Sequence, residues 1–383
     1  MQYPFNSNST FSSGNNTRYN ACVGKNGYND IETYEFGYTN SVKLLIESLK
    51  KDPGYIDPAI YPLVFCARHS IELFLKKAAS AIESIYNQIG KAYDYKDLTK
   101  THNLKDLLEY FIKLSKFDDR LSEDVNKIET YVKDYYDVDL TGEAFRYPYN
   151  KQNVHHLDDF SCINILIFEK RFHELSEIKE RLTFIIDFLQ EEYNQKTIIG
   201  NINREMIEKI SFELPKRNMW KEKEFDDVKR MIQEKHKISS RKLSLVIKTI
   251  EKHREFSSNI GVVIPIPGLS VYEFSYFRTK YTEYKQNVKS QRKFLDYKND
   301  IAKEISDKLP KEAISALRSL YEIGFHRIYS EEFDLVLKHF NDKESFDLVF
   351  FELLDGGRNI EWIEKGMRIC GQLQFLTECK EEN

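Results

Sequence analysis

Paired cysteines, long apolar runs and a strong net charge are all absent from this sequence, and each absence excludes a class of protein. Its five cysteines are an odd number and no two have the CxxC spacing, so we predict neither a disulfide framework nor a zinc ribbon. No uninterrupted apolar run approaches the roughly 18 residues of a membrane-spanning helix, and no basic segment followed by an apolar one stands at the start. We therefore expect a cytoplasmic protein that does not cross a membrane.

The signatures of the common enzyme classes are absent as well. The sequence contains no glycine-rich phosphate loop, no HExxH, no nucleophile elbow and no paired-carboxylate spacing. Its net charge of -4 gives no overall attraction to nucleic acid. Any surface that binds a polyanion therefore has to be local.

Helical periodicity is the main feature that the sequence does have. Apolar residues recur three and four positions apart over most of its length, which predicts an all-α protein. A chain of 383 residues is long enough for two or three domains. We predict a tail over 1–31, an up-and-down helical bundle over 32–195, a basic, mostly helical region over 196–295 and a helical domain over 296–383.

The predicted bundle follows a tail that is rich in Asn, Ser, Gly and Tyr and cannot bury enough apolar surface to fold by itself. In the bundle, Thr101 or Asn103 caps the third helix, and Gly142 and Pro148 make residues 141–156 a loop. The predicted helices lie at 32–51, 59–89, from about 104 onward, 121–136 and 157–195.

The region after the bundle carries a local excess of positive charge. From Lys216 to Arg254 there are thirteen Lys and Arg against six Asp and Glu. Two helices over 225–233 and 240–255, joined by a short turn, have the outline of a helix-turn-helix, so this is either a nucleic-acid-binding segment or a solvated basic face. The candidate nucleic-acid-binding residues are Arg230, Arg241 and Lys242.

Further along, segment 261–274 is predicted as an edge hairpin or a buried loop, because two prolines interrupt its apolar run. The rest of the chain is predicted to be helical, with short connections marked by Pro, Gly and Asn. These helices lie at 301–309, 311–323, 330–340, 345–354 and 360–378. We expect this C-terminal region to bind a protein partner.

Polar residues in the middle of the predicted helix over 59–89 are its most unusual feature. Arg68, His69 and Glu72 stand among Phe, Cys, Ile and Leu residues, and a charge in apolar surroundings needs a partner or a function. Arg68 and Glu72 are four residues apart and share one face of the helix. They are therefore either a structural ion pair beside a half-buried His69, or part of a functional site.

Three polar motifs follow one another along the predicted bundle. They are RHSIELFLKKA at 68–78, HNLKDLL at 102–108 and FRYP at 145–148, ahead of the long final helix. In this order and on these helices, they resemble the HEPN superfamily, the helical domains of prokaryotic defence and toxin systems. The resemblance covers roughly residues 32–195, a little under half of the chain.

That resemblance implies a bundle of four or five helices that forms a homodimer, so that polar residues of both subunits surround one cleft. It also implies an endoribonuclease that needs neither a metal nor a cofactor, with Arg and His four to six residues apart. The His takes the proton of the ribose 2′-hydroxyl, the Arg stabilises charge that develops on the phosphate, and a cyclic phosphate end results. RNA is then the expected substrate.

The Arg and His spacing of this chain departs from that pattern. The fourth residue after Arg68 is Glu72, and no histidine follows within six residues. Arg146 is followed by His155 nine residues later, with Pro148 between them. One alternative is that the site is assembled from separated residues. The other is that the protein does not cut RNA and only binds it or acts as a scaffold.

One RNA cleft is our hypothesis for these residues. Its members are the catalytic Arg68, Arg146 and His155, and the orienting residues His69, Glu72 and His102. His155 and His156 approach the predicted start of the long final helix, where the helix dipole favours the neutral imidazole that a general base requires. The alternative is that Arg146 pairs with Glu72 or Glu143 and that both histidines only end a loop.

Overall fold

Helices make up the regular secondary structure of the computed structural model, which describes residues 9–98, 100–150, 152–288 and 293–381. Over these ranges there are sixteen α-helices and no β-strand, so the prediction of an all-α protein is confirmed. Two isolated backbone bridges, Tyr149 to His155 and Ile199 to Ile202, each close a short loop. Across the same ranges, no helix has the length and apolar character needed to span a membrane.

The chain divides into two compact units, Met1–Glu191 and Glu192–Asn383. The predicted bundle over 32–195 falls in the first unit except for its last residues. The two later predicted regions, 196–295 and 296–383, fall together in the second unit.

Five helices begin in the described part of the first unit, and side-chain caps fix where the first and the third of them start. Asp30 accepts a hydrogen bond from the N–H of Thr33, and Asn103 accepts one from the N–H of Asp106. Asn103 rather than Thr101 therefore caps the third helix. The helices are α1 (Ile31–Lys51), α2 (Ile56–Gln88), α3 (Leu104–Ser115), α4 (Ser122–Val138) and α5 (Ile165–Asn194).

α2 is the central helix of the first unit, and one side of it is deeply buried. α1 and α3 pack along it, while Ile165 and Phe172 of α5 share a hydrophobic cluster with its Leu63 and Ala67. The buried apolar residues of this helix include Leu63, Ala67, Ile71, Leu75, Ala78, Ile82 and Ile85. Removing this much apolar surface from water is the main favourable contribution to folding, so the polar residues of α2 lie within a packed core.

The start of α5 differs from the predicted start at 157. Leu157 has a φ of 66°, which a right-handed helix does not allow. The side chain of Asn164 accepts hydrogen bonds from the N–H groups of Leu166 (2.9 Å) and Ile167 (3.1 Å), so the helix begins at Ile165. His155 therefore lies well before the helix, and the argument that its dipole keeps this histidine neutral no longer applies.

The second unit contains two hydrophobic clusters, one over Ile202 to Ile260 and one over Ile266 to Cys379. Along the sequence, the boundary between the two clusters lies near residues 261–265 rather than at the predicted position of 295. Its described helices are α6 (Arg204–Glu213), α7 (Glu224–His236), α8 (Ser240–Lys252), α9 (Arg254–Asn259), α10 (Val271–Asn287), α11 (Phe294–Lys308), α12 (Lys311–His326), α13 (Phe333–Asn341), α14 (Ser345–Asp347, continued by a π-helical turn over Leu348–Leu353), α15 (Asn359–Ile369) and α16 (Leu373–Glu381).

Of the two forms predicted for segment 261–274, the structure shows the loop. Ile266 and Leu269 of this loop are buried, and it ends where Ser270 and Glu273 form a capping box at the start of α10. The helix predicted over 360–378 is broken at Gly371, which has a φ of 71°. A Cβ atom there would lie 2.3 Å from the carbonyl oxygen of Arg254, so only glycine fits at this position.

Candidate functional site

Arg68 lies inside the first unit with its guanidinium bound on several sides. The residue is 2% exposed, and its Nη1 donates to Glu72 Oε2 at 2.9 Å. Its Nε donates to the carbonyl oxygen of Asp139 (3.2 Å), and its Nη2 donates to the carbonyl oxygens of Leu140 (3.1 Å) and His102. Arg68 therefore ties α2 to the loop before α3 and to the loop after α4.

Glu72 completes this buried cluster. In addition to Arg68, Lys76 Nζ donates to its Oε1 at 2.9 Å, and His102 Nδ1 lies 2.8 Å from the same oxygen. His69 is half-buried, with its Nδ1 3.9 Å from Oε2. Burial opposes ionisation of Glu72, but the nearby His69, Lys76, Arg68 and His102 outweigh it and hold the pKa of the carboxyl well below its usual range. The charged stretch of α2 thus finds its partners within one chain.

Asp139 holds the loop after α4 in place and was not among the predicted site residues. Its Oδ1 accepts hydrogen bonds from the N–H groups of Gly142 (2.7 Å), Glu143 (2.9 Å) and Ala144 (3.2 Å). An aspartate that ends a helix three residues before a glycine is typical of such a turn, so the spacing of Asp139 and Gly142 could have predicted it. Gly142 has a φ of 83°, and a Cβ atom on it would lie 2.9 Å from Arg68 Nη1. The loop therefore rests directly on the Arg68 guanidinium.

Arg146 is held by the same loop but faces outward. Its Nε donates to the carbonyl oxygen of Gly142 at 2.5 Å. The guanidinium carbon lies 5.6 Å from the centre of the Phe65 ring and 5.4 Å from that of Tyr147, close enough for cation–π attraction. Neither Glu72 nor any other described carboxylate lies within 4 Å of it, so the alternative in which Arg146 pairs with Glu72 or Glu143 is not observed. Its positive charge is exposed to solvent.

A cleft of about 730 Å³ lies between the start of α2 and the loop that leads to α5. Arg146, His155 and His156 all line it. His155 is exposed, and its ring centre lies 4.1 Å from that of Tyr149. Nε2 of His156 is buried and has no hydrogen-bond partner among the described residues. The cleft thus combines one cationic and two imidazole side chains with the carboxylate of Asp57 at the start of α2.

The structure brings together only part of the hypothesised site. Arg146 and His155 share the cleft, but its described lining does not include Arg68 or any of the three orienting residues. Arg68 and Glu72 are enclosed by the protein, and His102 reaches them from an exposed position on another surface. The cluster around Arg68 instead lies beneath the loop that carries Arg146.

The candidate nucleic-acid-binding residues lie on α7 and α8, two helices joined by a turn in which Lys237 has a φ of 51°. Arg230 pairs with Asp227, and Lys242 Nζ donates to Asn201 Oδ1 at 2.5 Å. Arg241 is exposed, and no described carboxylate lies within 4 Å of it. The outline of a helix-turn-helix is present, and its contact with nucleic acid stays a prediction.

A second buried charge cluster, which the sequence analysis missed, lies in the second unit. The Arg204 guanidinium lies between the rings of Phe256 and Tyr329, 4.7 and 4.6 Å from their centres, and its Nε donates to Glu331 Oε1 at 2.8 Å. His253 Nε2 lies 2.8 Å from the same carboxylate. Burial opposes ionisation of Glu331, but His253 and Arg204 outweigh it and hold the pKa of Glu331 well below its usual range. The cluster joins the two hydrophobic cores of this unit.

Comparison of the chain with protein-family models, with curated proteins and with solved structures finds no match. The resemblance to the HEPN superfamily therefore rests on the three motifs in the sequence.

Proposed function

We propose that the cleft around Arg146 and His155 binds RNA, and that the chain is a HEPN-like RNA-targeting effector of anti-phage defence or of a toxin system. One observation carries the proposal. An exposed arginine without a described carboxylate partner lines the same cleft as an exposed histidine. A phosphate group is the natural ligand of such an arginine, because it accepts charge-assisted hydrogen bonds from the guanidinium.

Aromatic rings beside these two residues support RNA as the ligand. Tyr61, Tyr147 and Phe160 line the cleft and are 48%, 56% and 49% exposed. Bases stack on exposed aromatic faces, and each stacked base contributes about 1–3 kcal/mol to binding. A cleft with a cation and several free ring faces therefore suits an unpaired stretch of nucleic acid.

The reaction that we propose is metal-independent cleavage. His155, as the general base, takes the proton of the ribose 2′-hydroxyl, and the 2′ oxygen attacks the adjacent phosphorus. The bond from phosphorus to the 5′ oxygen breaks, and that oxygen takes a proton from water. The products are a 2′,3′-cyclic phosphate and a 5′-hydroxyl. Arg146 stabilises the negative charge that develops on the phosphate oxygens.

Arg68 has a supporting role in this proposal rather than the catalytic role first hypothesised. It binds the carbonyl oxygens of Asp139 and Leu140 and lies against Gly142. The carbonyl of Gly142 in turn accepts the hydrogen bond from Arg146. Arg68 thereby holds the backbone that aims Arg146 into the cleft.

Binding without cleavage is the second candidate function, and one observation favours it. The ring of His155 packs on Tyr149, and no described contact joins it to Arg146. A protein that binds RNA or acts as a scaffold in a defence complex needs no such contact. The homodimer is supported by the resemblance alone, because the charged residues of α2 are already paired within the chain.

The Arg146→Ala variant tests the binding site. We expect it to weaken the binding of single-stranded RNA about tenfold to a hundredfold, because a charge-assisted contact of about 1.5–3 kcal/mol is lost. The measurement is the fluorescence anisotropy of a labelled oligoribonucleotide at several salt concentrations, and the slope of log K against log salt falls by about 1. Arg18→Ala removes an exposed arginine outside the cleft and is the matched control. Equal affinity of Arg146→Ala and the parent would rule out this cleft as the RNA site.

A further inference from the structure

Part of the excess positive charge of segment 216–254 lies on one face of α8. Cations of this segment that pair with carboxylates are Arg217, Lys229, Arg230, Lys235 and Arg254. Arg241, Lys248 and Lys252 are exposed, and no carboxylate of the described residues lies within 4 Å of any of them. These three cations are therefore available to an external anion.

Their spacing places them on a single stripe. Arg241 and Lys248 are seven residues apart, close to two helical turns, and Lys252 follows one turn later. Like charges four residues apart destabilise a helix by a few tenths of a kcal/mol. Lys248 and Lys252 bear that cost without a counter-ion among the described residues, which is expected where a partner supplies the negative charge.

A groove of about 580 Å³ runs beside the two lysines. Its apolar lining is Leu245 of α8, which is 46% exposed, with Ile198 and Ile199 of the loop before α6, and Thr249 and His253 also line it. The bridge between Ile199 and Ile202 holds that loop in place. The groove therefore offers a preformed apolar floor with a cationic rim.

We propose that this groove binds an acidic amphipathic segment of a partner protein. The segment's apolar side chains would fill the space between Leu245, Ile198 and Ile199, and its carboxylates would pair with Lys248, Lys252 and Arg241. An amphipathic helix lying in an apolar groove is a common mode of peptide recognition. The described lining holds no Phe, Tyr or Trp, and the ring of its His253 is buried and stacked on Phe256, so the chemistry favours a protein segment over nucleic acid. The inference does not depend on the RNA cleft.

Selection from a displayed library of random 16-residue peptides tests the inference on the full chain. We expect the enriched peptides to carry net negative charge and apolar residues three and four positions apart. Their affinity, measured with synthetic copies, should fall about tenfold or more for Lys248→Glu/Lys252→Glu and for Leu245→Glu. The control Lys221→Glu/Lys223→Glu makes the same charge change on two other exposed lysines of the segment and keeps full affinity.

Three results would overturn the proposal. The first is enrichment of peptides without net negative charge, and the second is equal binding to the parent and to Lys248→Glu/Lys252→Glu. The third is a selection that enriches no peptide, together with loss of single-stranded RNA binding on charge reversal. That charge reversal is made either at Arg241 and Lys242 or at Lys248 and Lys252. That third result would assign the face to nucleic acid. Urea unfolding followed by the fluorescence of Trp220 shows that each variant remains folded.

Discussion

Glu72→Gln lowers the stability of the chain by about 3–5 kcal/mol, the usual loss when one member of a fully buried ion pair is removed. Glu72 and Arg68 side chains are each 2% exposed and lie 2.9 Å apart. The variant leaves the Arg68 guanidinium buried with carbonyl oxygens and with the Asp139 carboxylate 3.9 Å from its Nε, and the Lys76 and His102 donors lose their acceptor charge. Urea unfolding followed by far-UV circular dichroism measures the change.

Glu47→Gln is the control for this experiment, because Glu47 is an exposed glutamate of α1.

The pKa of Glu72 is lowered in the folded state from its ordinary value of 4.5. The stabilisation is therefore present above about pH 4.5 and is lost as the pH falls below it. Below that pH we expect the parent to lose stability more steeply than Glu72→Gln. If Glu72→Gln and the parent unfold at the same urea concentration, the charge cluster around Arg68 and Glu72 does not stabilise the fold.

The second large effect is expected at Glu331. Glu331→Gln should destabilise the chain by about 3 kcal/mol, because Arg204 then remains buried between Phe256 and Tyr329 with the carboxylate on its Nε lost and only that of Glu255 kept on its Nη2. Both tryptophans of the chain, Trp220 and Trp362, lie in the second unit. Tryptophan fluorescence during urea unfolding is therefore the measurement.

Glu234→Gln, a change at an exposed residue of α7, serves as the comparison for Glu331→Gln. The folded-state pKa of Glu331 is also lowered from 4.5, so its contribution too is lost as the pH falls below about 4.5. If both variants unfold at the urea concentration of the parent, the Arg204 cluster does not hold the two hydrophobic cores together.

Periodicity was sufficient to predict most helices, because apolar spacing reports directly on which side of a helix is buried. α1, α2 and α4 begin and end within a few residues of their predicted bounds, and α3 begins where it was predicted to. Two of the boundaries that were wrong depend on single backbone conformations: the positive φ of Leu157 before α5 and that of Gly371 before α16. Apolar residues continue through both places, so the pattern alone favours an uninterrupted helix.

The candidate site was predicted in part for a similar reason. Arg146 and His155 stand nine residues apart in the loop between α4 and α5, so their closeness in sequence brings them into one cleft. Arg68, in contrast, is bound by backbone carbonyl oxygens of residues 102, 139 and 140. Carbonyl groups occur at every residue and leave no trace in sequence, so spacing could not reveal that this arginine is fully engaged.

The products of RNA cleavage test the central proposal most directly. Single-stranded RNA is incubated with the full chain in the presence of a chelator, and the new 3′ ends are identified by mass spectrometry. We expect 2′,3′-cyclic phosphate ends from the parent and a rate about 100-fold to 10,000-fold lower for His155→Ala, which loses the general base. His173→Ala changes an exposed histidine of α5 outside the cleft and keeps the parent's rate. Absence of cleavage by the parent, or an equal rate for His155→Ala, would contradict the proposal that this cleft cuts RNA.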